Sequence, residues 1–293
     1  MFENWIKRGQ KDPNHKPFGA TSPLNENLLS GIRALIKSGY FSLDVKGGDY
    51  VKSTKSGVYI GNHAGWFTLD TFIAALAYRQ ASGRRILPSG FAHDLLLKTP
   101  LLKNLFKDSV FLPASFLKHP ERIPKEIKNF AIMPEGESGN CKPFWRAYRM
   151  RPWHRGFVRL AIYKQIKIVP AAIIGGEECM PTLETVEFLK PFIGSPIPIP
   201  LSLFPLPTHW KVIFHQPIDM SVYPKSAAED PVKCKMITRE IQNILQATLD
   251  RETAHRPLRH LSSVVNRWFP DHFGNNRTRV TKKQPSYKIS KRS

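Results

Sequence analysis

The sequence predicts an α/β fold, a single domain with a largely parallel central sheet flanked by helices. Short apolar segments rich in β-branched residues alternate along the chain with longer segments of helical periodicity, which is typical of α/β domains. The clearest strand, residues 166–174, is an apolar run rich in β-branched residues that ends in two glycines, as expected of a buried strand. The chain of 293 residues is long enough to bury one such core.

Each further element has its own local pattern. Residues 25–37 carry apolar side chains on one helical face, Thr68 is a plausible N-cap for a helix over residues 69–79, and residues 230–251 form a long amphipathic stretch. The other predicted helices are residues 94–106, 121–128 and 157–164. The predicted strands besides 166–174 are residues 40–45, 58–60, 85–87, 109–112, 130–133 and 210–214.

Proline marks one segment that fits neither pattern. Residues 188–207 are apolar but dense in proline, which excludes a regular helix or a central strand. The segment is expected to lie at a membrane interface, to cover an acyl channel, or to be a loop buried over the core.

We predict a flexible N-terminal arm (1–24), a folded domain (25–255) and a basic, partly disordered C-terminal extension (256–293).

The charge balance indicates an anionic partner. Lysine and arginine number 44 against 23 acidic residues, a net charge of +21, which suits a membrane surface, a nucleic acid or a phosphorylated substrate. The lack of a helix-turn-helix, finger or RNP-like pattern disfavours nucleic acid. Three widely spaced cysteines predict neither disulfides nor a zinc site. Without a secretory signal or a run of ~18 apolar residues, we expect a cytoplasmic protein, peripheral on the membrane face.

Polar residues follow three of the predicted strands, where sites form in open α/β sheets. Asn62-His63 ends the first, Glu135-Gly136 the second, and residues 175–178 the third. A neutral histidine can take a proton from a hydroxyl near pH 7, and a carboxylate on its other nitrogen fixes the tautomer. Asp70 can do this for His63 only if a loop folds back, because seven positions on one helix span ~10 Å. The alternatives are a core histidine and a carboxylate at a helix dipole.

Three blocks resemble the lysophospholipid and glycerolipid acyltransferase superfamily (PlsC-like). They are GNHAGWFTLD (61–70), IMPEGESGNCKPF (132–144) and IVPAAIIGGEE (168–178), and the resemblance covers roughly residues 40 to 220. It implies a glycerol-phosphate-acyltransferase-like fold and transfer of a fatty acyl group from acyl-CoA or acyl carrier protein to a hydroxyl of a glycerolipid or lysophospholipid. No cofactor or metal is implied, because acyl-CoA is a substrate. The rival hypothesis is a catalytically inactive basic protein that binds lipid or nucleic acid.

The resemblance also assigns the site. His63 and Asp70 are the expected catalytic pair. The expected substrate-binding residues lie in the first block, in residues 90–94 and in the second block. They are Asn62, Ala64, Gly65, Ala92, His93, Pro134, Glu135, Gly136 and Lys142. Glu135 could instead be a buried carboxylate paired with a basic residue, and Lys142 could be either a phosphate contact or a solvated loop lysine.

The sequence departs from the commoner family pattern in two places. Six residues separate His63 from Asp70 instead of four, which resembles the mono- and diacylglycerol acyltransferase branch. Where the family commonly has Glu-Gly-Thr-Arg, Glu137 and Ser138 follow Gly136, and the block at residues 90–94 also lacks arginine. We therefore expect a neutral glyceride, a long-chain alcohol or a headgroup-bearing lysolipid, rather than lysophosphatidate, as acceptor. Lysine or arginine at positions 142, 146, 149 or 151 could substitute for the missing arginine.

Overall fold

The computed structural model describes residues 23–65, 68–92, 111–186, 188 and 197–268. Within them the helices are α1 (Pro23–Lys37), α2 (Gly48–Ser53), α3 (Leu69–Ser82), α4 (Glu137–Asn140), α5 (Gly156–Lys164), α6 (Gly176–Cys179), α7 (Pro231–Glu252) and α8 (Pro257–Trp268). The strands are β1 (Phe41–Lys46), β2 (Gly57–Gly61), β3 (Gly90–Ala92), β4 (Phe111–Pro113), β5 (Asn129–Ile132), β6 (Lys167–Ile174), β7 (Thr182–Val186), β8 (Ile197–Pro200), β9 (Thr208–Phe214) and β10 (Ile218–Asp219).

The central sheet has the order β1-β9-β6-β2-β5, with β10 pairing antiparallel to the start of β6. β2 runs parallel to both of its neighbours, and Ile60 pairs with Ile132 on β5 and with Pro170 on β6. β9 is antiparallel to β6, and β1 is parallel to β9. The predicted largely parallel sheet flanked by helices is therefore confirmed. The carboxyl ends of β5, β2 and β6 lie side by side at one edge.

Both faces of the sheet are buried. Alternation along β2 sends Val58 and Ile60 into a core with α5 and α7, whereas Tyr59 packs on the opposite side with residues of α1 and α3. Strands covered on both faces read as continuous apolar runs, which is why residues 166–174 were recognisable from sequence. The result is a three-layer arrangement, with the sheet between two layers of helices.

Two predicted elements are wrong. Residues 85–87 form no strand, since Arg79 Nε donates to the carbonyl of Arg85 and β3 begins only at Gly90. Residues 121–128 form only a 3₁₀ turn, Pro120–Arg122, rather than a helix. The predicted helix over residues 94–106 lies outside the described residues.

The proline-dense segment supplies an edge strand. β8 pairs antiparallel with β7 in a separate two-stranded sheet, which agrees with the exclusion of a helix or a central strand. Further along, α8 lies inside the predicted C-terminal extension, where Ser262 Oγ donates to the carbonyl of Trp145 over 2.6 Å. Among the helices that the structure describes, none is long and apolar enough to cross a membrane.

Candidate active site

The carboxyl ends of β2, β5 and β6 bring together the residues that follow them. His63 lies two residues after β2, Glu135 three residues after β5, and Glu177 three residues after β6. The backbone N–H of His63 donates to Glu135 Oε1 over 3.0 Å. Lys142 Nζ lies 3.4 Å from Glu135 Oε2 and 3.3 Å from Glu177 Oε1. The sequence-based expectation that these strand ends meet is thus met in the structure.

His63 and Asp70 are in contact. His63 Nδ1 lies 2.7 Å from Asp70 Oδ2, and the same oxygen accepts the backbone N–H of Ala64 over 2.7 Å. The other oxygen, Oδ1, accepts the backbone N–H of Thr71 over 2.8 Å. The loop between β2 and α3 therefore folds back as the hypothesis required. Asp70, in the first turn of α3, contacts both this loop and its own helix.

This geometry fixes the histidine tautomer. A carboxylate can only accept, so Nδ1 carries the proton in the bond to Asp70 and Nε2 is left with its lone pair. Asp70 is fully buried and the His63 side chain is 10 % exposed, so the contact between them is shielded from solvent. The arrangement can accept a proton at Nε2 and stabilise the imidazolium that results.

Glycines allow the loops to approach each other. A Cβ on Gly139 would lie 2.7 Å from the Cβ of His63 and 2.8 Å from that of Glu135. A Cβ on Gly176 would lie 2.8 Å from the Cβ of Ala64. Real side chains do not approach so closely, so both positions require glycine for the histidine loop to keep its place.

Lys142 is buried, which contradicts the alternative of a solvated loop lysine. Only 3 % of the residue is exposed, and its ammonium lies between the carboxylates of Glu135 and Glu177. Burial alone would lower the pKa of Lys142, but the two carboxylates outweigh it and leave the pKa raised. Burial raises the pKa of Glu177, against the attraction of Lys142. Glu135 is the buried, paired carboxylate that we considered from sequence.

Most of the other predicted substrate-binding residues lie at or just beyond the carboxyl ends of strands. Asn62 is fully buried, and its side-chain amide exchanges two 2.8 Å hydrogen bonds with the backbone of Ile173, which continues the pairing of β2 with β6. Ala64 is buried, and Gly65 has a φ of 86°. Ala92 ends β3, the next strand beyond β5, whereas His93 lies outside the described residues.

Pro134 and Gly136 bracket Glu135. The carbonyl of Pro134 accepts the backbone N–H of His154 over 2.9 Å. Gly136 combines φ 60° with ψ −153°, a conformation essentially restricted to glycine. The contacts of all these residues with a substrate stay a prediction.

Sequence reasoning gave no role to two residues at this edge. Glu177 was visible only as part of the polar end of β6, and its pairing with Lys142 became evident only in three dimensions. His154 is exposed, and its ring lies 3.8 Å from the position that a Cβ on Gly136 would take. The sequence carries no pattern that connects His154 with Gly136.

Thr68 precedes α3 as predicted, but its side chain does not cap the helix. Its φ of 53° is left-handed, which is strained for a β-branched residue. Its backbone N–H donates to the carbonyl of Gly65 over 3.1 Å. That N–H is therefore already engaged within the loop.

Comparison with known proteins agrees with this architecture. The acyltransferase family model matches residues 42–174, the span that holds His63, Asp70 and Glu135. The crystal structure of the 1-acyl-sn-glycerophosphate (LPA) acyltransferase PlsC from Thermotoga maritima superposes with a TM-score of 0.52 at 13% identity, over 79% of this chain and 80% of that one. These findings confirm the resemblance to the PlsC-like acyltransferase superfamily and support an acyltransferase enzyme.

Mycobacterial proteins are similar over most of the chain. An uncharacterized protein of Mycobacterium leprae is 27% identical over 249 residues, which is 82% of this chain and 68% of that protein. An uncharacterized protein of Mycobacterium tuberculosis is also 27% identical over 249 residues, covering 82% of this chain and 69% of its own length.

Proposed function

We propose that this acyltransferase moves a fatty acyl group from acyl-CoA or acyl carrier protein to a hydroxyl of a glycerolipid or lysophospholipid. The observation that carries the proposal is the 2.7 Å contact between His63 Nδ1 and Asp70 Oδ2 at the carboxyl edge of the sheet. It presents an imidazole whose other nitrogen can act as a general base. The three sequence blocks and the family match support the choice of reaction.

His63 and Asp70 divide the work in the proposed mechanism. His63 Nε2 removes the proton of the acceptor hydroxyl while the oxygen attacks the thioester carbonyl. The C–O bond forms, the C–S bond breaks, and the thiolate leaves and takes up the proton from the imidazolium. Asp70 stabilises the imidazolium in between. Backbone N–H groups in the first turn of α3, other than those of Thr68 and Thr71, which are already engaged, are candidates for stabilising the oxyanion. The reaction needs no resident cofactor, since acyl-CoA is a substrate.

We propose a neutral glyceride, a long-chain alcohol or a headgroup-bearing lysolipid as acceptor, rather than lysophosphatidate. Ser138 stands where the family commonly has arginine, and its hydroxyl donates to the carbonyl of Glu135 over 2.8 Å. Lys142, one possible substitute, is engaged by two carboxylates. Arg149 pairs with Asp250 at 3.8 Å.

Acceptor-dependent thiol release tests both the reaction and this preference. With purified protein and acyl-CoA, we expect thiol release to rise when monoacylglycerol or diacylglycerol is added, and to rise less with lysophosphatidate. Lipid mass analysis should show the acylated product. A strong preference for lysophosphatidate would contradict the acceptor proposal and direct attention to Arg146 and Arg151. No release with any acceptor would favour the inactive lipid- or nucleic-acid-binding alternative.

We also propose that the protein docks peripherally on the cytoplasmic face of an anionic membrane. Large apolar side chains are exposed around β8, among them Phe188, Leu201, Leu203 and Phe204. This segment is joined to the active-site end, because the backbone N–H of Leu206 donates to the carbonyl of Cys179 at the end of α6. A lipid acceptor could therefore pass from the bilayer to the site along one side of the molecule. The net charge of +21 would add attraction to an anionic surface.

Liposome flotation is expected to separate the apolar and electrostatic contributions. Binding should rise with anionic lipid and weaken with salt, because salt screens surface charge. Deleting residues 277–293 should reduce the salt-sensitive part, since this segment is rich in lysine and arginine. Phe204→Asp should reduce the part that survives high salt, because Phe204 is 78% exposed.

Val222→Asp is the matched control for flotation. Val222 is 71% exposed, but it follows β10, which pairs with the start of β6, at the end of the sheet opposite to the site. We expect it to bind liposomes like the unaltered protein. Equal losses in both variants, or no binding to liposomes of any composition, would contradict the docking proposal.

A further inference from the structure

We propose that Lys142 and Glu177 are positioning residues for the catalytic histidine, and that they act through Glu135, which holds the loop and does not contact the acceptor. This inference rests on the proposed function of His63. It assigns Glu135 and Lys142 a different role from the substrate contacts that the family resemblance implies.

Both oxygens of the Glu135 carboxylate already accept hydrogen bonds from the protein. Oε1 accepts the backbone N–H of His63 over 3.0 Å. Oε2 accepts the backbone N–H of Arg151 over 2.7 Å and faces Lys142 Nζ at 3.4 Å. Its side chain is completely buried. A carboxylate used in this way fixes the position of the His63 backbone and has little capacity left for a substrate hydroxyl.

Lys142 connects Glu135 to the end of β6. Its ammonium lies 3.3 Å from Glu177 Oε1, and the same oxygen accepts the backbone N–H of Tyr148 over 3.2 Å. The hydroxyl of Tyr148 in turn accepts the backbone N–H of Gly175 over 3.2 Å. Polar contacts therefore connect the residues that follow the central strand β6, through Lys142 and Glu135, to the backbone of His63.

The charges of Glu135, Lys142 and Glu177 explain why both Lys142 and Glu177 affect the position of His63. Two buried carboxylates share one ammonium, and buried charges are stable only when they are paired and hydrogen-bonded. An ionised Glu135 accepts hydrogen bonds from all three of its donors, whereas a neutral one would lose part of this capacity. Removing Lys142 would leave the two carboxylates facing each other, so that one of them must take up a proton or move away. Either change would loosen the hold on His63.

Glu135→Gln separates positioning from acceptor binding. The substituted amide must present its NH₂ group either to the N–H of His63 or to the donors at Arg151 and Lys142, so the loop shifts while the size of the side chain is kept. A misplacement of ~1 Å can cost about 10²-fold in rate. We expect kcat to fall about 10- to 100-fold and KM for the acceptor to stay within about twofold. A raised KM with kcat retained would show instead that Glu135 binds the acceptor.

A double variant tests the shared ammonium. Lys142→Met should lower kcat by a similar factor, and adding Glu177→Gln to it should recover at least about threefold, because the second buried negative charge is gone. A double variant that is no more active than Lys142→Met would overturn the proposal. Glu178→Gln is the matched control, since Glu178 lies on the same short helix but pairs with Arg256. We expect its kcat and KM to stay unchanged. If Lys142→Met does not fold, Glu135→Gln carries the test.

Hydrogen exchange supplies a readout that does not depend on activity. The backbone amides of residues 62–65 should exchange about tenfold faster in Glu135→Gln and Lys142→Met than in the unaltered protein, and at the original rate in Glu178→Gln. Unchanged exchange in the first two variants would overturn the positioning role even if the enzyme is active. Absence of acyl transfer by the unaltered protein would instead contradict the proposed function, while the exchange data would still decide the loop-holding role.

Discussion

Replacing His63 with alanine is expected to remove nearly all acceptor-dependent thiol release. A general base typically contributes ~10²–10⁴-fold, and the nitrogen opposite the Asp70 contact is the only one that the geometry leaves to take the proton. The fold should persist, because His63 lies in the loop after β2 and its backbone N–H, which alanine keeps, makes the bond to Glu135. Initial rates with acyl-CoA and the best acceptor measure the effect.

His119→Ala is the control for this experiment. His119 is half-exposed and contacts Glu121 outside the site, so its removal should leave the rate unchanged. Circular dichroism and thermal melting should show that both variants fold. If the purified His63→Ala protein retained full activity, the general-base mechanism would be wrong, whatever the identity of the acceptor.

Asp70→Asn is expected to lower the rate by ~10²–10⁴-fold while leaving the size of the side chain unchanged. The carboxylate accepts from His63 and Ala64 with one oxygen and from Thr71 with the other. An asparagine must turn its NH₂ group toward one of these two sides, so it either opposes the Ala64 N–H and favours the wrong histidine tautomer, or opposes the Thr71 N–H. The imidazolium also loses its anionic partner.

Asp49→Asn distinguishes this role from a helix-dipole effect. Asp49 lies in the first turn of α2, as Asp70 does in α3, so both lose a favourable charge at a helix start when they become asparagine. We expect Asp49→Asn to keep its activity within about twofold. Similar rates in the Asp70 and Asp49 variants would mean that Asp70 only stabilises the start of its helix.

The strand ends were predictable because their causes are local. Apolar runs that stop at Asn62-His63, Glu135-Gly136 and Gly175-Gly176 mark the carboxyl ends of buried strands, and parallel strands place these ends at one edge. The contact between His63 and Asp70 required a loop that folds back, and the resemblance to the acyltransferase superfamily singled out the pair. For these reasons the fold class and the candidate catalytic pair could be inferred without a structure.

The burial of Lys142 depends on contacts between distant parts of the chain. Its second partner, Glu177, belongs to a different strand end, and no local pattern indicates that an ammonium must lie between the two carboxylates. The helix predicted over residues 121–128 failed for one local reason and one distant reason. Pro124 disfavours helix in the residue before it, and Lys164 Nζ, from α5, binds the carbonyls of Ile123 and Pro124.

All three cysteines of the sequence, Cys141, Cys179 and Cys234, are buried as free thiols. Burial raises the pKa of Cys179 to about 12 and also raises that of Cys234, so the reactive thiolate form is scarce at these two positions. The native protein should consequently give almost no colour with a thiol-specific dye, and liberated coenzyme can be followed continuously at high enzyme concentration. The same dye would count three newly accessible thiols per molecule on denaturation, so one reagent can serve as both a turnover indicator and a gauge of unfolding.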